Sequence, residues 1–241
     1  MAVKPQLARF ELLGAPGREA LGAVAAHARA AGLLVIADGK RGDIDVTAEA
    51  YAASLFGGTE TPYGHVEGLG ADLVTVNPLM GRDAVLPFVS AARACGAGVL
   101  ALVRTSNPGA ADVQELELTG GGPLWERLAA LVDELGEAGS AGIADVGAVV
   151  GATAPGSLAR ARELMPSAPF LLPGIGAQGG RVEDLGAAFA PGPAGGLVSA
   201  SRSIAGAHLQ DGGTPAQAAR AEAERLREAA WRLSERTVSA G

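Results

Sequence analysis

Leu33-Leu34-Val35-Ile36-Ala37 runs directly into Asp38-Gly39-Lys40-Arg41-Gly42-Asp43-Ile44. An unbroken apolar run that includes β-branched residues reads as a strand buried on both faces, and such strands belong to parallel sheets covered by helices. The charges that follow stand where a parallel barrel carries its chemistry, at the C-terminal end of a strand. In extended chain Asp38 and Lys40 point to the same face. A carboxylate and an ammonium are thus expected side by side, while Asp43 falls past the strand end and is free to aim elsewhere, including at a neighbouring subunit.

Working outward, short runs rich in valine, leucine and isoleucine alternate with longer alanine-rich amphipathic segments, the pattern of repeated βα units. The strand candidates are Ala2-Lys4, Leu33-Ala37, Leu73-Val76, Val99-Val103, Ala148-Val150, Phe170-Leu172 and Gly196-Ser199. Helices are expected at about 17 to 32, 45 to 57, 83 to 95, 122 to 138, 156 to 164, 181 to 188 and 214 to 235, with Thr237 to Gly241 as a loose tail. The expected fold is α/β, a TIM (β/α)8-type barrel in a single domain spanning residues 1–241. Seven strands are recognised where a closed barrel has eight, and the shortfall lies at the N-terminus, so the chain is expected to begin one βα unit late.

The 241 residues carry a net charge of -7, which argues against nucleic acid or an anionic membrane as the main partner. Any anionic ligand must then be met by a local basic cluster. The single cysteine, Cys95, excludes an internal disulfide and a multi-cysteine metal site, and reads as a small residue near a helix end. Neither a signal peptide nor a long uncharged apolar span is legible, so a cytoplasmic location is expected. His27, His65 and His208 show no metal-ligand spacing and no triad pattern, and no serine occupies a nucleophile elbow.

Polar or glycine-rich clusters follow nearly every strand candidate: Lys4-Pro5-Gln6, Asp38 to Asp43, Asn77-Pro78, Arg104-Thr105-Ser106-Asn107, Gly151-Ala152-Thr153, Gly174 to Gly180 and Ser201-Arg202-Ser203. Their shared position predicts one rim and one site. Gly174-Ile175-Gly176-Ala177-Gln178-Gly179 satisfies a GxGxxG pattern but lies late in the chain and lacks the acidic residue about 20 positions on that a dinucleotide site requires. A loop whose backbone N–H groups, Gly179 and Gly180 included, approach a phosphate is the better physical reading. Arg202 would add a bidentate contact to the same group.

In these motifs the chain resembles orotidine 5′-monophosphate decarboxylase, particularly its bacterial, actinobacterial-type branch. The resemblance rests on Val3-Lys4-Pro5-Gln6 with Phe10-Glu11, Asp38 to Ile44, Thr75-Val76-Asn77-Pro78, Thr105-Ser106-Asn107-Pro108, Val149 to Thr153, Pro173 to Gly180 and Ser201-Arg202. It implies decarboxylation of orotidine 5′-monophosphate to UMP in pyrimidine biosynthesis, with no metal and no organic cofactor. It further implies a homodimer with shared active sites.

By the same resemblance Lys4, Asp38, Lys40 and Asp43 form an alternating charged tetrad in which Lys40 is the proton donor and Asp43 serves the partner's site. Ile44 and Thr47 would reach across the dimer to the pyrimidine pocket and the ribose hydroxyls. Ser106 would bond the pyrimidine edge, Gln178 would bridge base and phosphate from a mobile loop, and Arg202 would hold the phosphate. Two departures stand out. The family's first strand, which ends in an aspartate near the ribose, has no counterpart after Met1, and Leu79 stands where an aromatic residue is common. Two alternatives remain open at this point: a Mg²⁺-dependent lyase acting on a sugar phosphate, or a catalytically weak nucleotide-binding relative.

Overall fold

The computed structural model of the chain describes residues 1–176, 178–211 and 213–239, in two compact units, Met1–Leu102 and Val103–Gly241. The first unit contains β1 (Ala2–Val3), α1 (Leu7–Glu11), α2 (Gly14–Ala30), β2 (Leu34–Arg41), α3 (Asp45–Leu55), the hairpin β3 (Thr59–Thr61) and β4 (Gly64–Val66), β5 (Leu73–Val76) and α4 (Arg82–Ala94). β6 (Gly98–Arg104) runs across the division point. Its strands β1, β2, β5 and β6 pair in parallel in that order, while β3 and β4 pair antiparallel.

Burial explains why these segments fold as they do. Val35, Ile36, Ala37, Val74, Val76, Val99 and Leu100 are all shut away from solvent, as strands covered on both faces require. Helix α2 buries Gly17, Leu21, Ala25 and Ala28, the spacing of one helical face. Gly17 is required there, because a Cβ would fall 1.9 Å from the Phe10 carbonyl oxygen at the end of α1.

The second unit contains α5 (Leu124–Leu135), β7 (Val146–Val150), α6 (Pro155–Leu164), β8 (Phe170–Leu172), β9 (Gly196–Val198), α7 (Arg202–Ala205), α8 (His208–Asp211) and α9 (Pro215–Ser239). Short 3-10 helices cover Pro108–Asp112, Val182–Phe189 and Pro193–Gly195. β7, β8 and β9 pair in parallel, with Val149 opposite Leu171 and Leu171 opposite Leu197.

Arg162 of α6 is buried beside this sheet. Its guanidinium lies 3.8 Å from the centroid of the Phe170 ring. It donates to the carbonyls of Met165 (2.8 Å), Pro166 (3.2 Å), Ala168 (2.8 Å), Ala187 (3.3 Å), Ala188 (2.8 Å) and Gly195 (3.2 Å). One cation thereby bonds carbonyls at the end of α6, in the turn that follows it and in both later 3-10 helices, of which those of Met165 and Ala187 also accept a backbone N–H. Burial pushes its pKa down to about 10, which still leaves it charged at neutral pH.

The α/β class and all seven strand candidates agree with the sequence reading. Four details differ. α1, the β3–β4 hairpin, α7, α8 and the 3-10 helices Pro108–Asp112 and Pro193–Gly195 were not expected, since each is too short to show a period. The expected helix at 181 to 188 is a 3-10 helix over Val182–Phe189. The expected loose tail is helical as far as Ser239, where Thr237 and Ser239 donate their hydroxyls back to Leu233 and Glu235 carbonyls; Ala240 and Gly241 lie outside the described residues. β2 runs through Arg41, so Asp38, Lys40 and Arg41 lie within the strand rather than after it, while Asp43 falls past its end as expected. Among the described residues no helix is long and apolar enough to cross a membrane.

Candidate active site

Asp38 is the centre of the charged cluster in the first unit. Lys4, just after β1, places its Nζ 2.6 Å from Asp38 Oδ2, and Lys40 places its Nζ 2.5 Å from Asp38 Oδ1. The backbone fixes the approach of the first pair, because the Asp38 N–H donates to the Pro5 carbonyl at 3.1 Å. The Asp38 and Lys4 side chains are 5% and 13% exposed, whereas Lys40 is 49% exposed. The inner pair is closed in and the outer ammonium is open to a ligand.

Burial pushes the Asp38 carboxyl up, but the Lys4 charge and the hydrogen bonds from Lys4 and Lys40 outweigh it and hold the group below the ordinary carboxylate value. A carboxyl lowered by folding contributes stability above its unfolded pKa and loses it as pH falls through the folded one. Lys4→Met removes the strongest opposing charge, so the Asp38 pKa must rise. The variant is expected to be less stable by about 2 kcal/mol at pH 7, with the gap shrinking at acid pH as Asp38 protonates, first in the variant and then in wild type. Thermal unfolding across pH 3 to 8 checks this, and a gap independent of pH would contradict it.

Asp38 and Lys40 do not meet by simple strand alternation, as the sequence suggested. Ala37 pairs with Val74 and Arg41 with Val76, so Asp38, Gly39 and Lys40 bulge out opposite the single residue Thr75. Lys40 adopts a φ of 48°, a left-handed conformation uncommon outside glycine. Its N–H donates to Thr75 Oγ1 at 2.9 Å, and that hydroxyl donates to Asp38 Oδ1 at 3.1 Å. Gly39 admits Leu7 of α1, since a Cβ would come within 2.6 Å of Leu7 Cδ1.

Beyond the bulge, Arg41 is ion-paired with Glu11 and lies 5.3 Å from the centroid of the Tyr51 ring. It ties the segment before α3 to α1 behind and to α3 ahead. Asp43 Oδ1 accepts the Ile44 N–H at 2.8 Å, and among the described residues it makes no bond to Lys4, Asp38 or Lys40. Ile44 is 48% exposed and Thr47 is exposed as well.

In the second unit Ser106 follows β6 and donates its hydroxyl to Gln178 Oε1 at 2.7 Å. The turn carrying Ser106 is braced by Gln114, whose Oε1 accepts the Thr105 N–H at 2.8 Å. Gly151 packs so closely that a Cβ there would lie 2.8 Å from Ser106 Cα. In the glycine loop, Gly176 N–H donates to Gly180 O (3.0 Å), Gly179 N–H to Gly176 O (2.8 Å) and Gly180 N–H to Gly174 O (3.0 Å). Those amides are engaged within the loop, so a phosphate must displace loop carbonyls to use them. Ala177 lies outside the described residues. Arg202 opens α7 and is exposed.

A family model described as "Orotidine 5'-phosphate decarboxylase / HUMPS family" matches residues 1–221. The chain belongs to this family. A curated orotidine 5′-phosphate decarboxylase of Deinococcus radiodurans is 48% identical over 227 residues, covering 93% of this chain and 78% of the relative. One of Rhodopirellula baltica is 44% identical over 214 residues, covering 87% and 68%. The solved OMP decarboxylase of Leishmania donovani superposes with a TM-score of 0.72 at 35% identity, covering 95% of this chain and 81% of that one.

For a member of the orotidine 5′-phosphate decarboxylase / HUMPS family, the candidates fall into sets of different completeness. Lys4, Asp38 and Lys40 share one bonded network, and Ser106 is bonded to Gln178. Asp43, Ile44 and Thr47 stand together at the start of α3, outside the first network. Among the described residues no group of three or more His, Cys, Asp and Glu side chains could hold a metal ion. Thr75 is the participant that sequence reasoning did not single out, because a threonine within a strand reads only as a β-former.

Proposed function

We propose that the protein is a carboxy-lyase that converts orotidine 5′-monophosphate to UMP and CO2 in pyrimidine biosynthesis. The observation that carries this reading is the buried Asp38 carboxylate held between Lys4 and the half-exposed Lys40, in a chain 48% identical to a named orotidine 5′-phosphate decarboxylase.

Loss of CO2 from C6 of the pyrimidine leaves an electron pair with no adjacent electron sink. Fixed charge at that carbon is then the main source of rate. The Lys40 ammonium stabilises the developing carbanion and delivers its proton to C6, forming the C–H bond as the C–C bond breaks. Asp38, with a depressed pKa, stays ionised beside the substrate carboxylate and holds the Lys40 side chain in place. Lys4 neutralises Asp38 from the buried side, so the site can hold two anionic groups without expelling one.

Ser106 is assigned to the pyrimidine edge, Gln178 with Gly179 and Gly180 to the base and phosphate, and Arg202 to the phosphate. Binding energy from the phosphate is available for orienting C6 against Lys40. Asp43, Ile44 and Thr47 are proposed to act in the partner's site of a homodimer; the exposure of Ile44 and Thr47 supports that assignment. The reaction so written needs no metal or organic cofactor. We place it in a single (β/α)-barrel domain in the cytoplasm.

The test is incubation of the purified protein with orotidine 5′-monophosphate and chromatography of the product. Equimolar UMP and CO2 are expected. No UMP, together with Mg²⁺-dependent turnover of a hexulose phosphate, would replace this reading with the sugar-phosphate one. Within it, Arg202→Ala is expected to raise KM at least about 100-fold, as loss of a bidentate charged contact to phosphate should. Steady-state kinetics check this, and an unchanged KM would contradict the assignment.

A further inference from the structure

We propose that Thr75 is a positioning residue for decarboxylation, its hydroxyl setting the backbone of Lys40 and the carboxylate of Asp38 in one step. The proposal rests on the decarboxylase reading and adds a residue to it. Where β2 bulges, the strand ladder offers no backbone acceptor for Lys40: Ala37 and Arg41 keep their partners on β5, and the residues between them do not. The Thr75 hydroxyl fills that gap, accepting the Lys40 N–H at 2.9 Å.

A hydroxyl has a single proton to give. With one lone pair directed at Lys40 N–H, that proton goes to Asp38 Oδ1 at 3.1 Å, the same oxygen that Lys40 Nζ approaches to 2.5 Å. Lys40 is therefore held at both ends of its residue, by its amide through Thr75 and by its ammonium through Asp38. The left-handed backbone of Lys40 persists only where its surroundings enforce it. Thr75 is wholly buried, so water cannot replace the hydroxyl. Val74 and Val76 flank it in the same strand, and valine at 75 would keep the β-branched shape while leaving the Lys40 amide without its acceptor and Asp38 Oδ1 with Lys40 Nζ alone.

The effect is specific to the position of the ammonium, because the hydrogen bonds of the Thr75 hydroxyl go to Lys40 and Asp38. Thr75→Val is expected to lower kcat roughly 100-fold, the scale of a misplacement of about 1 Å, with KM within about twofold of wild type. Thr75→Ser, which keeps the hydroxyl, is expected to recover most of the turnover. A residue needed only for packing would give the opposite order, valine near wild type and serine impaired.

Steady-state kinetics of the three proteins, on material whose folded fraction is fixed by thermal unfolding, decide between these. Wild-type kcat in Thr75→Val, or equal losses in both variants, would overturn the proposal. Amide hydrogen exchange of wild-type Lys40 tests it without any variant: slow exchange is expected, and exchange at the rate of an open loop would overturn it. Absence of turnover by wild type would instead remove the decarboxylase reading and this inference with it.

Discussion

Replacing Lys40 by alanine is expected to lower kcat for decarboxylation by at least about 10⁴-fold, combining the usual worth of a proton donor with that of a charge fixed at the transition state. The two roles belong to one ammonium, so no neighbour takes over either. Lys4 is the nearest other ammonium, but it is enclosed on the far oxygen of Asp38. The fold should tolerate the change, since Lys40 is half exposed and Asp38 keeps Lys4 and Thr75 as partners. Affinity for UMP, which lacks the carboxylate, should change less than about tenfold, because phosphate and base are assigned to other residues. Calorimetric titration with UMP alongside single-turnover kinetics separates the two quantities. Turnover within 100-fold of wild type would remove Lys40 from the role of proton donor.

The largest effect on stability is expected at Arg162. Arg162→Met preserves much of the aliphatic stem but strips the cation from carbonyls on several segments. Three of its bonds, to Met165, Ala168 and Ala188, are 2.8 Å long. Buried acceptors left bare cost about 1–3 kcal/mol each, so a loss of roughly 3 to 5 kcal/mol is expected after partial relaxation. Chemical denaturation measures it, and a change below about 1 kcal/mol would show that the carbonyls find other donors. The same variant should loosen Val182–Phe189 and Pro193–Gly195, whose carbonyls it abandons, before the rest of the second unit.

Some of this was legible in the sequence. An uninterrupted apolar run such as Phe170-Leu172 gave a strand with the observed bounds, because burial on both faces leaves no polar residue to blur the signal. The charged residues of the site were legible too, since Lys4, Asp38 and Lys40 each stand in or beside a strand. The bulge was not. Its existence depends on how β2 registers against β5, a non-local fact that the pattern Asp-Gly-Lys does not carry, although Gly39 is a hint that the chain departs from regular strand there.

The part Thr75 plays was hidden for the same reason: its hydroxyl matters only because the bulge deprives Lys40 of a ladder partner. Arg162 was hidden by composition. In Pro155–Leu164 it reads as one of two arginines on a helix surface, and only the fold reveals that Arg160 is exposed to Glu126 and Glu163 while Arg162 is buried among carbonyls.

The most direct test of the central claim is the loss of orotate absorbance when the purified 241-residue protein meets orotidine 5′-monophosphate in EDTA. A decay that is catalytic in protein, independent of added Mg²⁺ and absent from Lys40→Ala is the predicted result. A flat trace from folded wild-type protein, or a decay that Lys40→Ala reproduces, would contradict it.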